Sequence, residues 1–257
     1  MKITLLLTTY NSPRYLSICL STVLQQTRLP DEIVIADDGS TEDTRQLIDR
    51  FRQQCRCPVK HVWQEDQGFR LAKCRNKGIA ASTGDYIIQI DGDLILNKHF
   101  VEDHAFFAKS GYFYAGGRCL LTESVSKEIL ETGNTSMGMF HRGVEHRFNA
   151  LRCRLLAPLL FGETHSRGCN MSFWREDLYG VNGYDERMEG PGLEDTDIIE
   201  RLMRNGVKRR HIKLCAVAFH IWHGGKPGSS INDDIFAENQ RSGIVFVEKG
   251  LSQYPKS

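Results

Sequence analysis

The sequence predicts an α/β protein built on a mostly parallel central sheet flanked by helices. Short apolar runs recur through about residue 105, and segments with apolar residues at helical spacing separate them. Proline, glycine and capping residues stand where one kind of segment gives way to the next. Strand–helix alternation at this spacing calls for parallel strands joined by right-handed crossovers.

Each element can be justified in turn. Ile3 to Leu7 is an unbroken apolar run, the signature of a strand buried on both faces. Ser12-Pro13 reads as a helix cap with proline at the first helical position. Leu16, Cys19, Leu20, Val23 and Leu24 then form one apolar face. Pro30 closes the connection, and Glu32 to Ala36 predicts a second strand ending in Asp37-Asp38-Gly39-Ser40. Ser40 and Asp43 have capping-box spacing ahead of a helix carrying Leu47, Ile48 and Phe51. Val59 to Trp63 is a third strand, and Leu71 to Ala81 is a helix that stops before Gly84. Tyr86 to Ile90 is a fourth strand, running into Asp91-Gly92-Asp93.

The second half is less regular. Residues 141–161 mix Arg142, Arg147, Arg152 and Arg154 with Leu151, Leu155, Leu156, Leu159, Leu160 and Phe161. Two readings stand side by side for 142–161. One is an amphipathic surface resting on an anionic membrane, and the other is a helix packed on the core with solvated arginines. Pro158 would break a long helix in either case.

Composition narrows the function. A net charge of +1 over 257 residues gives no reason to expect nucleic-acid binding, which usually goes with a strongly basic domain. The 8 cysteines include no CxxC pair, and most read as small buried residues in a reducing compartment. The apolar run at 3–7 is too short for a signal peptide, and no run is long enough to cross a membrane. The expectation is a soluble, cytoplasmic protein.

In parallel sheets ligands bind beyond the carboxyl ends of the strands, where Thr8-Thr9-Tyr10-Asn11, Asp37-Asp38-Gly39-Ser40 and Asp91-Gly92-Asp93 all fall. Two carboxylates one residue apart suit a hard divalent cation that shares phosphate oxygens. Gly92 between them lets the backbone come close to a ligand. A solvated turn is the alternative, and the strand-end position favours the cation. Further on, Glu194-Asp195-Thr196-Asp197 precedes apolar residues at helical spacing, so the acidic cluster opens a helix. His220 and His223, three apart, suit Mn²⁺, Zn²⁺ or a similar borderline metal.

The strand-end segments, together with Arg75-Asn76-Lys77-Gly78-Ile79, resemble the family 2 glycosyltransferases of the GT-A fold, in the same order, over about residues 2–105. The resemblance implies a Rossmann-like sheet with Thr8, Tyr10 and Asp38 around the nucleoside, Asn11 in the same segment, and Asp38 at the uracil edge. It places Asp91 near the ribose and the metal, and Asp93 on the metal. Lys73 and Arg75 suit the diphosphate by charge and position. Tyr10 and Phe69 are open between stacking on the base and core packing.

A second resemblance covers Asn182-Gly183-Tyr184-Asp185-Glu186 and Gly190-Pro191-Gly192-Leu193-Glu194-Asp195. These are similar to the C-terminal region of β-1,4-galactosyltransferase-like enzymes, which usually have Trp where Pro191 stands. That likeness implies Asp195 as the base that deprotonates the acceptor hydroxyl and Glu194 as the residue orienting the acceptor sugar. It implies that His223 completes the metal site with Asp93, joined by His220, while the glycines that follow, Gly224 and Gly225, suit a mobile loop closing over the donor. Gly168 to Phe173 either shapes the donor-sugar pocket or is a buried linking strand.

The expected division is a nucleotide-sugar-binding half, 1–105, and an acceptor- and metal-binding half, 106–257. The expected activity is inverting transfer from a UDP-sugar, with Mn²⁺ first and Mg²⁺ second as cofactor. The acceptor is a hydroxyl of a glycan or a lipid-linked glycan, in bacterial surface polysaccharide or lipopolysaccharide synthesis. A sugar nucleotidyltransferase would need a glycine-rich basic loop where Thr8 to Asn11 stand. A non-catalytic relative would have lost one of Asp93, Asp195 and His223.

Overall fold

The structure is a computed structural model that describes residues 1–160, 168–224 and 228–256. Phe161 and Gly225, singled out above, lie outside the described residues. The elements run β1 (Ile3–Thr9), α1 (Pro13–Val23), β2 (Glu32–Asp37), α2 (Glu42–Gln54), β3 (Val59–Trp63), α3 (Leu71–Ala81) and β4 (Tyr86–Asp91). They continue with β5 (Leu94–Leu96), α4 (Phe100–Phe107), β6 (Tyr112–Gly116), β7 (Arg118–Leu121), α5 (Glu123–Thr132) and β8 (Val144–Glu145). The last are β9 (Asn170–Trp174), α6 (Arg175–Gly180), α7 (Glu194–Arg204), β10 (Lys208–Ile212), β11 (Ala218–His220) and α8 (Ser230–Ser242).

The central sheet has 7 strands in the order β10-β6-β9-β4-β1-β2-β3. Every neighbouring pair is parallel except where β9 runs antiparallel between β4 and β6. β1 is buried at every residue because helices cover both faces of the sheet, which is why its sequence is an unbroken apolar run. Two apolar clusters lie on opposite faces. Leu5, Leu7, Ile33, Ile35, Ile88 and Ile90 point into one; Leu6, Val34, Ala36 and Ile87 point into the other. This alternation is the two-residue period of a strand.

A second sheet, β5-β11-β7-β8, lies beyond the end of β4. Its pairing sets His220 opposite Leu94, and the Ile221 N–H donates to the Asp93 carbonyl at 3.0 Å. Backbone hydrogen bonds thus bring the two histidines to the end of the fourth strand.

Two local expectations change. No capping box forms: α2 starts after Thr41, without a side-chain cap. Ser40 is used elsewhere, its Oγ accepting the Asn11 N–H at 2.8 Å and its own N–H donating to Asp37 Oδ1 at 2.8 Å. Gly92 also packs closely on β1: its N–H donates to the Thr8 carbonyl at 2.9 Å, and a Cβ there would stand 2.9 Å from that oxygen. Second, the described part of 142–161 is no helix. It holds the short β8 and 3-10 turns at Arg147–Ala150 and Ala157–Leu160. Nor are all its arginines solvated, since Arg152 and Arg154 both pair with the buried Asp103, at 2.7 and 3.1 Å. That pairing holds the segment against α4, and proline-limited short turns replace a helix.

The 8 cysteines form no disulfide, and Cys19, Cys74, Cys119, Cys169 and Cys215 are buried as expected.

Candidate active site

The carboxyl ends of β1, β2 and β4 open onto a pocket of about 410 Å³. Thr8, Tyr10, Asp38, Phe69, Asp91, Asp93, His220 and His223 line it, so eight of the thirteen residues singled out by sequence converge there. Tyr10 and Phe69 face the pocket and belong to no apolar cluster.

Asn11, Lys73, Arg75, Glu194 and Asp195 are not among the lining residues. Asn11, in the left-handed region with φ 43°, secures the turn by accepting the Thr41 N–H on Oδ1 at 2.9 Å. Lys73 is half-buried on α3. The other three form the adjoining wall.

That wall is organised by Arg75, which is buried and bridges Asp91 Oδ1 at 3.1 Å and Glu194 Oε1 at 3.0 Å. Burial opposes its charge, but Tyr184, Asp91, Glu194 and Asp195 more than offset this and hold its pKa above the usual range. The Tyr184 ring lies 5.3 Å beneath the guanidinium, a cation–π contact. Asp91 Oδ1 also accepts the Thr8 hydroxyl at 2.8 Å. Arg75 therefore ties the first-half carboxylate to the acidic cluster that opens α7. Burial pushes the Glu194 carboxyl up, against the pull of Arg75. Asp195 is half-buried, and its Oδ2 accepts the Gly168 N–H at 2.7 Å.

Asp38 is buried and held from both sides, by the Arg70 N–H at 2.9 Å and Gln64 Nε2 at 2.5 Å. Burial still raises its pKa.

On the far side, His223 Nε2 lies 3.0 Å and His220 Nε2 3.4 Å from the same Asp93 Oδ2. One ligand atom from each of these three residues lies within 4.8 Å of the others. Among the described residues the second Asp93 oxygen, Oδ1, is buried without a hydrogen-bond partner. Burial works to raise the Asp93 carboxyl, but the two imidazoles outweigh it and hold it below the usual range. Its partner His223 is raised in turn, first by the Asp93 hydrogen bond. A carboxylate oxygen left bare beside two imidazole nitrogens is a donor set that fits a borderline divalent cation such as Mn²⁺.

Sequence reasoning did not find Gln64 and Arg70 behind Asp38, or Tyr184 under Arg75. Nor did it find Asn232 of α8, whose Nδ2 donates to the Gly190 and Gly192 carbonyls at 3.1 and 2.7 Å and so clamps the loop before Glu194. Tyr184 stood within a motif already singled out, but the other three carry no local signal.

A mainly parallel sheet with nucleotide-sized space and a carboxylate–imidazole cluster at its strand ends defines a chain of the GT-A glycosyltransferase class. Solved structures agree on the fold. Staphylococcus aureus TarS (residues 1–349, in complex with UDP) superposes with a TM-score of 0.64 at 18% identity, covering 98% of this chain and 68% of that one. A Pyrobaculum calidifontis mannosyltransferase in complex with GDP-Man and Mn²⁺ gives 0.59 at 17% identity, covering 86% and 56%.

The chain belongs to glycosyl transferase family 2, whose model matches residues 4–177. A second model, described as the N-terminal domain of galactosyltransferase, matches residues 159–223. Among curated relatives, Escherichia coli chondroitin synthase is 27% identical over 87% of this chain and 35% of its own length. A validoxylamine A glucosyltransferase of Streptomyces hygroscopicus subsp. limoneus is 28% identical over 77% of this chain and 47% of its own. The chain thus spans less than half the length of these relatives.

Proposed function

We propose that the chain transfers a sugar from a UDP-sugar to a hydroxyl of a glycan or lipid-linked glycan, with inversion and with the help of a divalent cation. The observation that carries this reading is the meeting of Asp93, His220 and His223 in the pocket that Asp38 and Asp91 also line. The neighbouring structures with UDP, with UDP-GlcNAc and with GDP-Man and Mn²⁺ support a nucleotide-sugar donor and a metal, Mn²⁺ ahead of Mg²⁺.

The parts divide the work. Thr8, Tyr10, Asp38 and Phe69 hold the nucleoside, and Asp91 faces the ribose. Asp93, His220 and His223 would hold the cation, which would supply positive charge beside the diphosphate leaving group. Arg75 aligns Asp91 with Glu194, and Glu194 orients the acceptor. Asp195, its rotamer held by the Gly168 N–H, takes the proton of the attacking hydroxyl as general base. A single displacement at the anomeric carbon inverts it, and no carboxylate is needed as a covalent nucleophile.

Calorimetric titration of UDP with and without Mn²⁺ tests the site. Binding that needs Mn²⁺ in wild type and is lost in Asp93→Ala and His223→Ala is expected. UDP binding indifferent to metal and to both substitutions would remove the assignment.

The pathway we favour is bacterial surface polysaccharide or lipopolysaccharide synthesis, with the protein resting on an anionic lipid surface. No helix among the described residues is long and apolar enough to cross a membrane. Leu159, however, is 80% exposed on the 3-10 turn that packs beside β10, and Leu155, just before that turn, is 89% exposed. That edge strand carries Lys208, Arg209 and Arg210, with Lys213 just beyond. Apolar side chains beside a basic edge match an anionic bilayer. The chain should sediment with vesicles containing phosphatidylglycerol, and Leu155→Asp with Leu159→Asp should release it. A dimer dissolved by the same substitutions would assign the patch to a second copy instead.

A further inference from the structure

A second cavity, of about 200 Å³, opens on the same rim of the sheet. Gly116 and Gly117 at the end of β6, Arg118 at the start of β7, His146, Cys169 and His211 are among its walls. It adjoins the acceptor side of the site, because Cys169 directly follows Gly168, whose N–H holds Asp195. Leu120, also in its wall, pairs with the metal-side His220 in the register of β7 and β11.

Its chemistry is cationic and unfinished. Arg118 is half-buried, and among the described residues its guanidinium meets no carboxylate. Its hydrogen bond is to the Cys169 thiol at 3.4 Å, a weak acceptor for a group with five donors. His211 presents a buried Nδ1 with no partner among the described residues. By contrast Arg75, Arg152, Arg154, Arg187 and Arg201 all pair with carboxylates.

The cavity is also built rigidly. Asn170 donates from Nδ2 to the Gly117 and Ala216 carbonyls at 2.9 and 3.1 Å and receives His104 Nε2 on Oδ1 at 3.0 Å. A Cβ on Gly116 would stand 2.3 Å from that amide nitrogen, so glycine is needed for Asn170 to brace the turn that aims Arg118. Asn149 Nδ2 braces the same turn through the Arg118 carbonyl at 3.1 Å.

We propose that this cavity is an acceptor subsite for an oxyanion, a carboxylate or sulfate carried by the sugar unit next to the one attacked. Planar guanidinium is the side chain best matched to such groups, and His146 and His211 add hydrogen-bond capacity beside it. The acceptor would then be an acidic glycan. This rests on the glycosyltransferase reading for its meaning, but its test needs no turnover.

The test is an NMR titration with methyl β-D-glucuronide, methyl β-D-glucoside 6-sulfate and neutral methyl β-D-glucoside, on wild type, Arg118→Ala and Arg118→Lys. At least one anionic probe should bind about tenfold tighter than the neutral one, the scale of a charge-assisted hydrogen bond. Arg118→Ala should erase the preference and Arg118→Lys keep part of it, while UDP binding stays at the wild-type level. Whether glucuronide or sulfate shows the preference identifies the anion. No preference in wild type, or one that survives Arg118→Ala, overturns the subsite. A preference that depends on Arg118 in a chain that fails to bind UDP would keep the subsite and sink the donor assignment.

Discussion

Glu32 and Asp93 are buried or partly buried carboxylates at opposite ends of the same sheet, and they are treated differently. At the amino ends of the strands, Glu32 Oε1 accepts the Thr4 hydroxyl at 2.6 Å and the Gly84 N–H at 3.1 Å, along with the Thr83 N–H. Its Oε2 accepts the Thr83 hydroxyl at 2.9 Å and faces Lys60 Nζ at 3.2 Å. Beyond the carboxyl ends, and among the described residues, Asp93 receives both imidazoles on one oxygen and nothing on the other, and Glu194 Oε2 and Arg75 Nε are likewise buried without partners. A saturated carboxylate stabilises the fold and has no capacity left for a ligand. An unsaturated one costs stability until something binds, and that sets Asp93 apart from Glu32.

The comparison can be broken in several ways, and the largest effect belongs to Asp195. Asp195→Asn should lower kcat by about a hundredfold to ten-thousandfold, the range for a lost general base. UDP affinity should stay unchanged, and near-normal turnover would remove Asp195 from its role.

Next comes the stability gained from metal. Mn²⁺ at a hundredfold over its Kd should stabilise wild type by about 2.7 kcal/mol in thermal or denaturant unfolding. Glu32→Gln should keep that gain and Asp93→Ala should lose it. A gain retained by Asp93→Ala would place the ion elsewhere.

Acid sharpens the other end. Burial would raise the Glu32 carboxyl, but Thr4, Thr83 and Lys60 outweigh it and bring it from 4.5 down to about 2. A depressed carboxylate stabilises the native state above its unfolded pKa. The contribution, about 2 kcal/mol after allowance for solvent around Lys60, should therefore fade as pH falls from about 4.5 to about 2. Denaturant unfolding across that window should show the loss in wild type and a flatter profile in Glu32→Gln. Smallest is Asp93→Asn in metal-free protein, where an amide oxygen can still accept from the imidazoles. It should still lose about 1 kcal/mol at neutral pH, because the charge that the imidazoles favour on Asp93 is gone, and unchanged stability in denaturant unfolding would show that the imidazoles do not stabilise that charge.

Much of the first half was legible. The expected bounds of β3 and α3 match the structure residue for residue, and β1, β2 and β4 each run slightly past their apolar runs into the segments that form the pocket. Segment 142–161 was not legible as structure, because its shape depends on Asp103 of α4 capturing Arg152 and Arg154. Ser40 had the right spacing for a cap, yet Asn11 takes its hydroxyl. Both cases turn on a partner remote in sequence.

The sequence by itself determined the strand–helix alternation, the strand-end positions of Thr8, Asp38 and Asp91, and the presence of an acidic cluster and a histidine pair. Periodicity, turn residues and caps act over a few residues, so they can be read locally. Only the tertiary structure decided that His223 reaches Asp93 across 130 residues, that Arg75 joins Asp91 to Glu194, and that Glu32 is saturated while Asp93 is not. Whether a polar atom is satisfied depends on every group packed around it, and most of those groups arrive from distant parts of the chain.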